Sequence, residues 1–380
     1  MKVEFSGRPL LAIVIGAFVL AGCVSSAAIV PQRQQPPATH GSGGSVTVPI
    51  GPPVRAAQPL PPRAPVDPGF RRPPAGLSDR IAQLWRGFPG KTGIAVQRID
   101  GEWSLAERGD DLFPQQSVSK LWVVMTVLDA VDDGRLRLDQ SVRIGTEDLT
   151  LFHQPMAPRV RAAGSISMTV RELIEAAVTG SDNTANDSLL RTVGGPEAVR
   201  RFISKNDLGS IRFGPGERLL QSGTAGMAWQ QSYSVGRAFE QARAALPDTT
   251  RKAAMDRYLA NPVDGASPAA IGRALTRLAR GTLLSPESTQ YLMGVLQRTK
   301  SGPNRLKAGL PSGWTFGHKT GTGQNYKGMT AGYNDIGIAT APDGTRYAIV
   351  VLLADTTATV PQRMALMQAV SGAVAEFHGR

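Results

Sequence analysis

The sequence predicts an α+β fold of three layers, α/β/α. One antiparallel sheet is formed by both chain ends, and a helical lobe is inserted between them. Three observations lead there. Strand-like runs occupy residues 94–108 and then reappear only at 314–354. Helix-like patterns dominate the interval. A last helical pattern follows the final strand. One sheet with helices on its faces satisfies that order, because each amphipathic element needs an apolar partner.

The elements follow in chain order. Residues 78–88 read as a helix. Residues 94–99 read as a strand, Asp100-Gly101 as a hairpin turn and 103–108 as the returning strand. Residues 117–131 are apolar-rich and helical, stopping at Gly134. Residues 168–178 start from a Thr169 to Glu172 capping pattern. Further helices are expected at 197–205, 235–245, 268–279 and 286–297. Strands return at 314–320, 332–339 and 347–354, and a helix over 361–377 closes the chain.

Ahead of this domain, placed at 76–380, lie two segments of different character. Lys2 and Arg8 precede an apolar run over 10–20 that ends in Leu20-Ala21-Gly22-Cys23. The run is too short to span a bilayer, which takes about 20 residues. It has the form of a signal-peptide core with small residues at the cut. The tetrapeptide resembles a bacterial lipobox, which implies cleavage after residue 22 and lipid on Cys23. Residues 23–75 hold about half of the 28 prolines. Missing N–H groups and fixed φ angles disfavour helix and sheet there. The segment reads as an extended linker between lipid and domain. Valine at position 24, rather than aspartate, leans by analogy toward the outer membrane, with the domain facing the periplasm.

Composition excludes several classes. The net charge is +12, of which 1–22 carries +1 and 23–75 carries +4, leaving 12 − 1 − 4 = +7 for the domain. That charge is spread thinly and no basic run interleaves with aromatics, so no nucleic-acid partner is expected. Cys23 is the one cysteine, so no intrachain disulfide forms. His40, His153, His318 and His378 lack any metal-ligand spacing, so neither a metal nor another cofactor is expected. Trp122, Trp229 and Trp314 read as core or rim. The domain is expected to act as a monomer.

Three short segments carry chemistry. The first is Ser117-Val118-Ser119-Lys120, at the start of an apolar helix. A serine hydroxyl needs a base to take its proton. Helical residues three apart share a face, so Lys120 points toward Ser117. The helix start also offers free N–H groups, including that of Ser117, to a developing oxyanion. The second is Ser181-Asp182-Asn183. Ser181 can relay a proton to a leaving nitrogen, Asn183 can grip a substrate carbonyl, and Asp182 ties down the turn. The third is Lys319-Thr320-Gly321 at the end of a strand. Lys319 and Thr320 can hold a substrate carboxylate. Gly321 leaves room for a ligand along the strand edge. The N–H of Thr322 can complete an oxyanion hole. Each segment alone is a common surface pattern.

Together and in this order they resemble the penicillin-recognising serine hydrolases, and most closely the class A β-lactamases. The resemblance covers about residues 76–380. It extends to 169–173, to GPNRLKAGLPSGW at 302–314 and to YNDIG at 333–337. It implies the β-lactamase/transpeptidase-like fold. It also implies an acyl-enzyme mechanism: Ser117 attacks a β-lactam carbonyl or a D-alanyl-D-alanine end, Lys120 takes the proton, and Ser181 passes one to the leaving nitrogen. Class A turnover adds a glutamate in an E-x-x-L-N pattern that activates the deacylating water.

Here that pattern falls on Glu217-Arg218-Leu219-Leu220-Gln221, which is 217 − 181 = 36 residues past Ser181. Gln221 replaces the asparagine. Asp187 stands where the family places an asparagine that braces the serine loop, with Asn186 one place early. Residues 222–265 exceed the usual loop by about thirty positions on alignment with the family pattern. Phe152 and His153 fall where the family has an aromatic at the pocket mouth. Hydrolysis of β-lactams with Glu217 assisting is the expectation. A penicillin-binding D,D-peptidase is the alternative, because a displaced Glu217 leaves the acyl-enzyme intact. An inactive lipoprotein that binds cell-wall peptides is the third reading.

Overall fold

The computed structural model describes residues 72–101 and 103–379. The signal-peptide, Cys23 and linker expectations lie outside the described residues. The described residues open with α1 (Ala75–Gly87), then β1 (Lys91–Arg98), β2 (Ser104–Glu107) and the short β3 (Phe113–Pro114). Next come α2 (Lys120–Asp132), β4 (Ser141–Gly145), α3 (Ala157–Ala163) and β5 (Ser165–Thr169). The lobe continues with α4 (Val170–Thr179), α5 (Asn183–Thr192), α6 (Pro196–Lys205), α7 (Glu217–Thr224), α8 (Ala238–Ala245) and α9 (Asp248–Ala260). After β6 (Gly265–Ala266) follow α10 (Pro268–Ala279) and α11 (Pro286–Gln297). The chain ends with β7 (Thr315–Thr322), β8 (Asn325–Tyr326), β9 (Met329–Thr330), β10 (Tyr333–Thr340), β11 (Arg346–Ala354) and α12 (Val360–Glu376).

The main sheet runs β2-β1-β11-β10-β7, antiparallel throughout. It draws two strands from the start of the domain and three from its end, as predicted. Alternation along β1 and β11 fills two cores. Ile94, Val96, Ile349 and Val351 face α1 and α12, meeting Leu77, Ile81 and Val370. Ala95, Val350 and Leu352 face the helical lobe, where Leu121, Val124 and Leu128 of α2 pack. A helix clad in apolar residues on all sides belongs at a centre, and α2 is buried over ten of its residues.

Local signals set several boundaries. Thr169 and Glu172 form the expected capping box on α4. Ser267 and Ser285 cap α10 and α11, and a proline opens each helix. Two expectations need correction. The helix expected over 117–131 begins at Lys120, after a 3₁₀ turn at Gln116–Ser119. The helix expected over 235–245 begins at Ala238, because Gly236 adopts a left-handed φ of +55°. The sequence reading also missed α3, α5, α7, α9 and the short strand pairs.

Candidate active site

The 3₁₀ turn decides where the nucleophile stands. With three residues per turn, positions i and i+3 eclipse, so Lys120 stacks directly on Ser117. Its Nζ donates to Ser117 Oγ at 2.9 Å and to Asn183 Oδ1 at 2.9 Å, and it pairs with the Glu217 carboxylate. Lys120 is fully buried and Glu217 is 3% exposed. The residue before the nucleophile, Gln116, holds a left-handed φ of +54°. Such strain persists only where the surroundings over-determine it. Asp264 Oδ2 accepts from Gln116 N (2.8 Å), Tyr258 OH accepts from Gln116 Nε2 (2.6 Å) and Gln116 Oε1 accepts from Gln221 Nε2 (3.1 Å). Tyr258 in turn donates to Asp264 Oδ1 at 2.8 Å.

The second segment sits on a strained corner as well. Ser181 has a φ of +57° and leads into α5. Asp182 does tie down the turn: its oxygens accept from Ala185 N and Met156 N. Burial pushes its carboxyl above the ordinary value. Asn183 spends one Nδ2 hydrogen on the Leu151 carbonyl and its Oδ1 on Lys120. It therefore helps to hold the lysine besides facing the cleft.

The third segment comes from β7. Lys319 Nζ donates to Ser181 Oγ at 2.9 Å. Burial, reinforced by the nearby Lys120 charge, holds this amine well below the usual lysine range. Thr320 Oγ1 shares a 2.7 Å hydrogen bond with Ser301 Oγ. At Gly321 the structure gives a reason different from the expected one. A β-carbon there would overlap the Gln115 carbonyl oxygen, so glycine lets β7 close on the nucleophile turn. Thr322 ends β7 opposite Tyr333.

Glu217 opens α7, and its N–H donates to Asp187 Oδ1 at 3.0 Å, while Arg218 N reaches Oδ2 at 3.4 Å. Asp187 thus caps the helix that carries Glu217. Burial first, and then the Glu217 charge, push Asp187 up to about 6. Burial also raises Asp264 to about 6. Gln221 lies one turn beyond Glu217, its Nε2 3.4 Å from Glu217 Oε2 and its Oε1 accepting from Gln324 Nε2 at 3.1 Å. The structure therefore forms two bonded sets, Lys120 with Ser117, Asn183 and Glu217, and Lys319 with Ser181.

Ser117, Ser181 and Asn183 line a cleft of about 470 Å³, together with Phe152 and His153. Phe152 takes a φ of +59° and packs edge-on against Phe239 of α8. Several groups around the site escaped the sequence reading. Arg305 Nη1 donates to the carbonyls of Gly321 and Asn334, and Nη2 donates to Thr322 Oγ1. It lay inside the recognised 302–314 segment but carries no periodic or capping signal. Tyr258, Asp264 and Arg243 belong to the 222–265 segment, which the family pattern does not describe. Among the described residues no His/Cys/Asp/Glu group could hold a metal ion.

A family model described as "Beta-lactamase enzyme family" matches residues 76–377. β-Lactamase VEB-1 of Pseudomonas aeruginosa is 26% identical over 284 residues, covering 74% of this chain and 84% of that protein. Extended-spectrum β-lactamase PER-1 of Pseudomonas aeruginosa is 29% identical over 303 residues, covering 79% and 87%. Among solved structures, TLA-1 extended-spectrum β-lactamase superposes with a TM-score of 0.67 at 26% identity, over 80% of this chain and 99% of that one. An ancestral class A β-lactamase gives 0.62 at 32% identity, over 79% and 99%. A shared sheet topology, the joined serine, lysine and glutamate, and a match across most of the chain lead to one assignment: the chain belongs to the β-lactamase enzyme family, in its class A branch.

Proposed function

A class A β-lactamase hydrolyses β-lactams, and we propose that this one does so through an acyl-Ser117 intermediate. One observation carries the assignment: Lys120 Nζ meets Ser117 Oγ, Asn183 Oδ1 and Glu217 at once. Lys120, in its uncharged form, accepts the Ser117 proton across their 2.9 Å contact, and Glu217 stays a carboxylate. Ser117 Oγ then bonds to the lactam carbonyl carbon. The backbone N–H groups of Ser117 and Thr322 receive the oxyanion. As the carbon–nitrogen bond breaks, Ser181 gives its proton to the nitrogen and receives in exchange the one Lys120 took from Ser117, while Lys319, 2.9 Å from Ser181 Oγ, steadies that oxygen. Lys319 and Thr320 receive the substrate carboxylate. Glu217, with Gln221 beside it, then takes a proton from the water that attacks the ester, and that proton returns to Ser117 Oγ as the acyl–oxygen bond breaks.

A chromogenic cephalosporin tests this. Multiple turnover that vanishes in Ser117→Ala supports the proposal. Stoichiometric labelling without turnover indicates a D,D-peptidase. No acylation by any β-lactam sinks both and leaves the inactive cell-wall-binding reading.

From residues 1–23 we infer a cleaved signal and lipid on Cys23, with the domain in the periplasm on the outer membrane. Support comes from the apolar run and the Leu20-Ala21-Gly22-Cys23 sequence alone. A Cys23→Ser protein that still takes up labelled fatty acid or stays with membranes refutes it. The domain is proposed to be monomeric, which sedimentation tests.

A further inference from the structure

The cleft continues past Thr322 into a recess of about 110 Å³ that shares Arg243, Gln324 and Asn325 with it. One wall is the 222–265 segment, through Arg243 of α8 and Arg251 of α9. The other is the β8–β9 turn, through Tyr326 and Lys327. Three cations therefore line it. Asp248 pairs with two of them, Arg251 at 3.0 Å and Lys327 at 2.8 Å. The local balance is 3 − 1 = +2. Arg243 finds only a neutral acceptor, Gln324 Oε1 at 2.8 Å. Arg251 Nε is buried and has no hydrogen-bond partner.

The recess lies at the end where a side chain of the substrate must go. Thr320, Thr322 and Gln324 alternate along one edge, and the ladder persists through Gly323 N to Gly332 O and Ala331 N to Gln324 O. Four strand residues span about 13 Å. With the ring carboxylate at Lys319 and Thr320 and the lactam carbonyl at Ser117, the acyl side chain points toward Gln324. The volume exceeds that of a single water, about 30 Å³, so a carboxylate and adjoining methylenes fit.

We propose that Arg243, Arg251 and Lys327 form an anion subsite, so that the enzyme favours β-lactams whose acyl side chain ends in a carboxylate. This rests on the cleft being the β-lactam site. The probes are a cephalosporin with a four-methylene acyl side chain ending in a carboxylate and its primary-amide twin. Acylation of Ser117 is the readout, so the result stands whether or not deacylation is fast. The native protein is expected to acylate about tenfold faster per unit concentration with the carboxylate, the size of one partly exposed charge-assisted hydrogen bond. Arg243→Gln should lower that ratio toward one, and Arg251→Gln should lower it as well. Raising salt from 50 mM to 0.5 M should compress the native ratio, a readout independent of any variant's folding. A native ratio near one, or equal losses on both probes in Arg243→Gln, overturns the subsite while leaving the proposed function intact. Failure of both probes to acylate the native protein refutes the proposed function, and the subsite with it.

Discussion

Replacing Glu217 with glutamine separates the two halves of the reaction. The change removes one negative charge and keeps the side-chain shape. A positioned general base contributes about 10²–10⁴ in rate, so hydrolysis of the acyl-enzyme should slow by that factor. The same change strips the counterion from Lys120, which is fully buried. Breaking one side of a buried ion pair costs about 3–5 kcal/mol. Asn183 Oδ1 and Ser117 Oγ still accept from Lys120, and the glutamine oxygen can do so too, so the lower end is expected, about 3 kcal/mol. That corresponds to a fall in Tm of roughly 5 °C for a domain of about 300 residues. Stopped-flow mixing with a chromogenic cephalosporin should show a burst equal to the enzyme concentration and then a slow steady state. Intact mass should show the acyl adduct on Ser117. An undiminished steady-state rate with no accumulated adduct would mean that another group activates the water, and the role given to Glu217 fails.

Three further outcomes follow from the same geometry. Burial holds the Lys319 amine below the usual lysine range, and its charged form binds the substrate carboxylate; KM should therefore rise on the alkaline side before an ordinary lysine would titrate. Lys319→Arg should move that limb upward in a pH profile of kcat/KM. Gly321→Ala should cost about 1–3 kcal/mol, the usual range for overpacking, because its β-carbon meets the Gln115 carbonyl; an unchanged melting curve counts against that contact. Asp264 rises from 3.8 to about 6 through burial, so its stabilising share is complete below pH 4 and disappears as pH climbs to 6, about 3 kcal/mol in all. Asp264→Asn should reduce the fall in stability between pH 4 and 6 without abolishing it, because Asp187, raised to about 6 as well, keeps its own share; chemical denaturation at each pH will measure this.

The sequence alone was enough for the sheet drawn from both chain ends, for α4 with its Thr169–Glu172 cap, for α10 and α11, and for the three segments that carry Ser117, Lys120, Ser181 and Lys319. Those features are written in periodicity, in capping pairs three residues apart, and in short segments of fixed order. α7 and α9 escaped notice for a physical reason. α9 buries only Ala254, Met255 and Tyr258, too few to show a stripe, and α7 spans eight residues including Gly223. The position of Glu217 was likewise undecidable from sequence. It depends on Asp187 capping α7 from 30 residues away and on a contact with Lys120 across 97. The grip of Asp264 on Gln116 spans 148 residues, and the cationic recess joins α8, α9 and the β8–β9 turn. Caps and stripes are satisfied within a few residues of their own chain. Which buried carboxylate meets which buried cation is settled only when the whole core has closed around them.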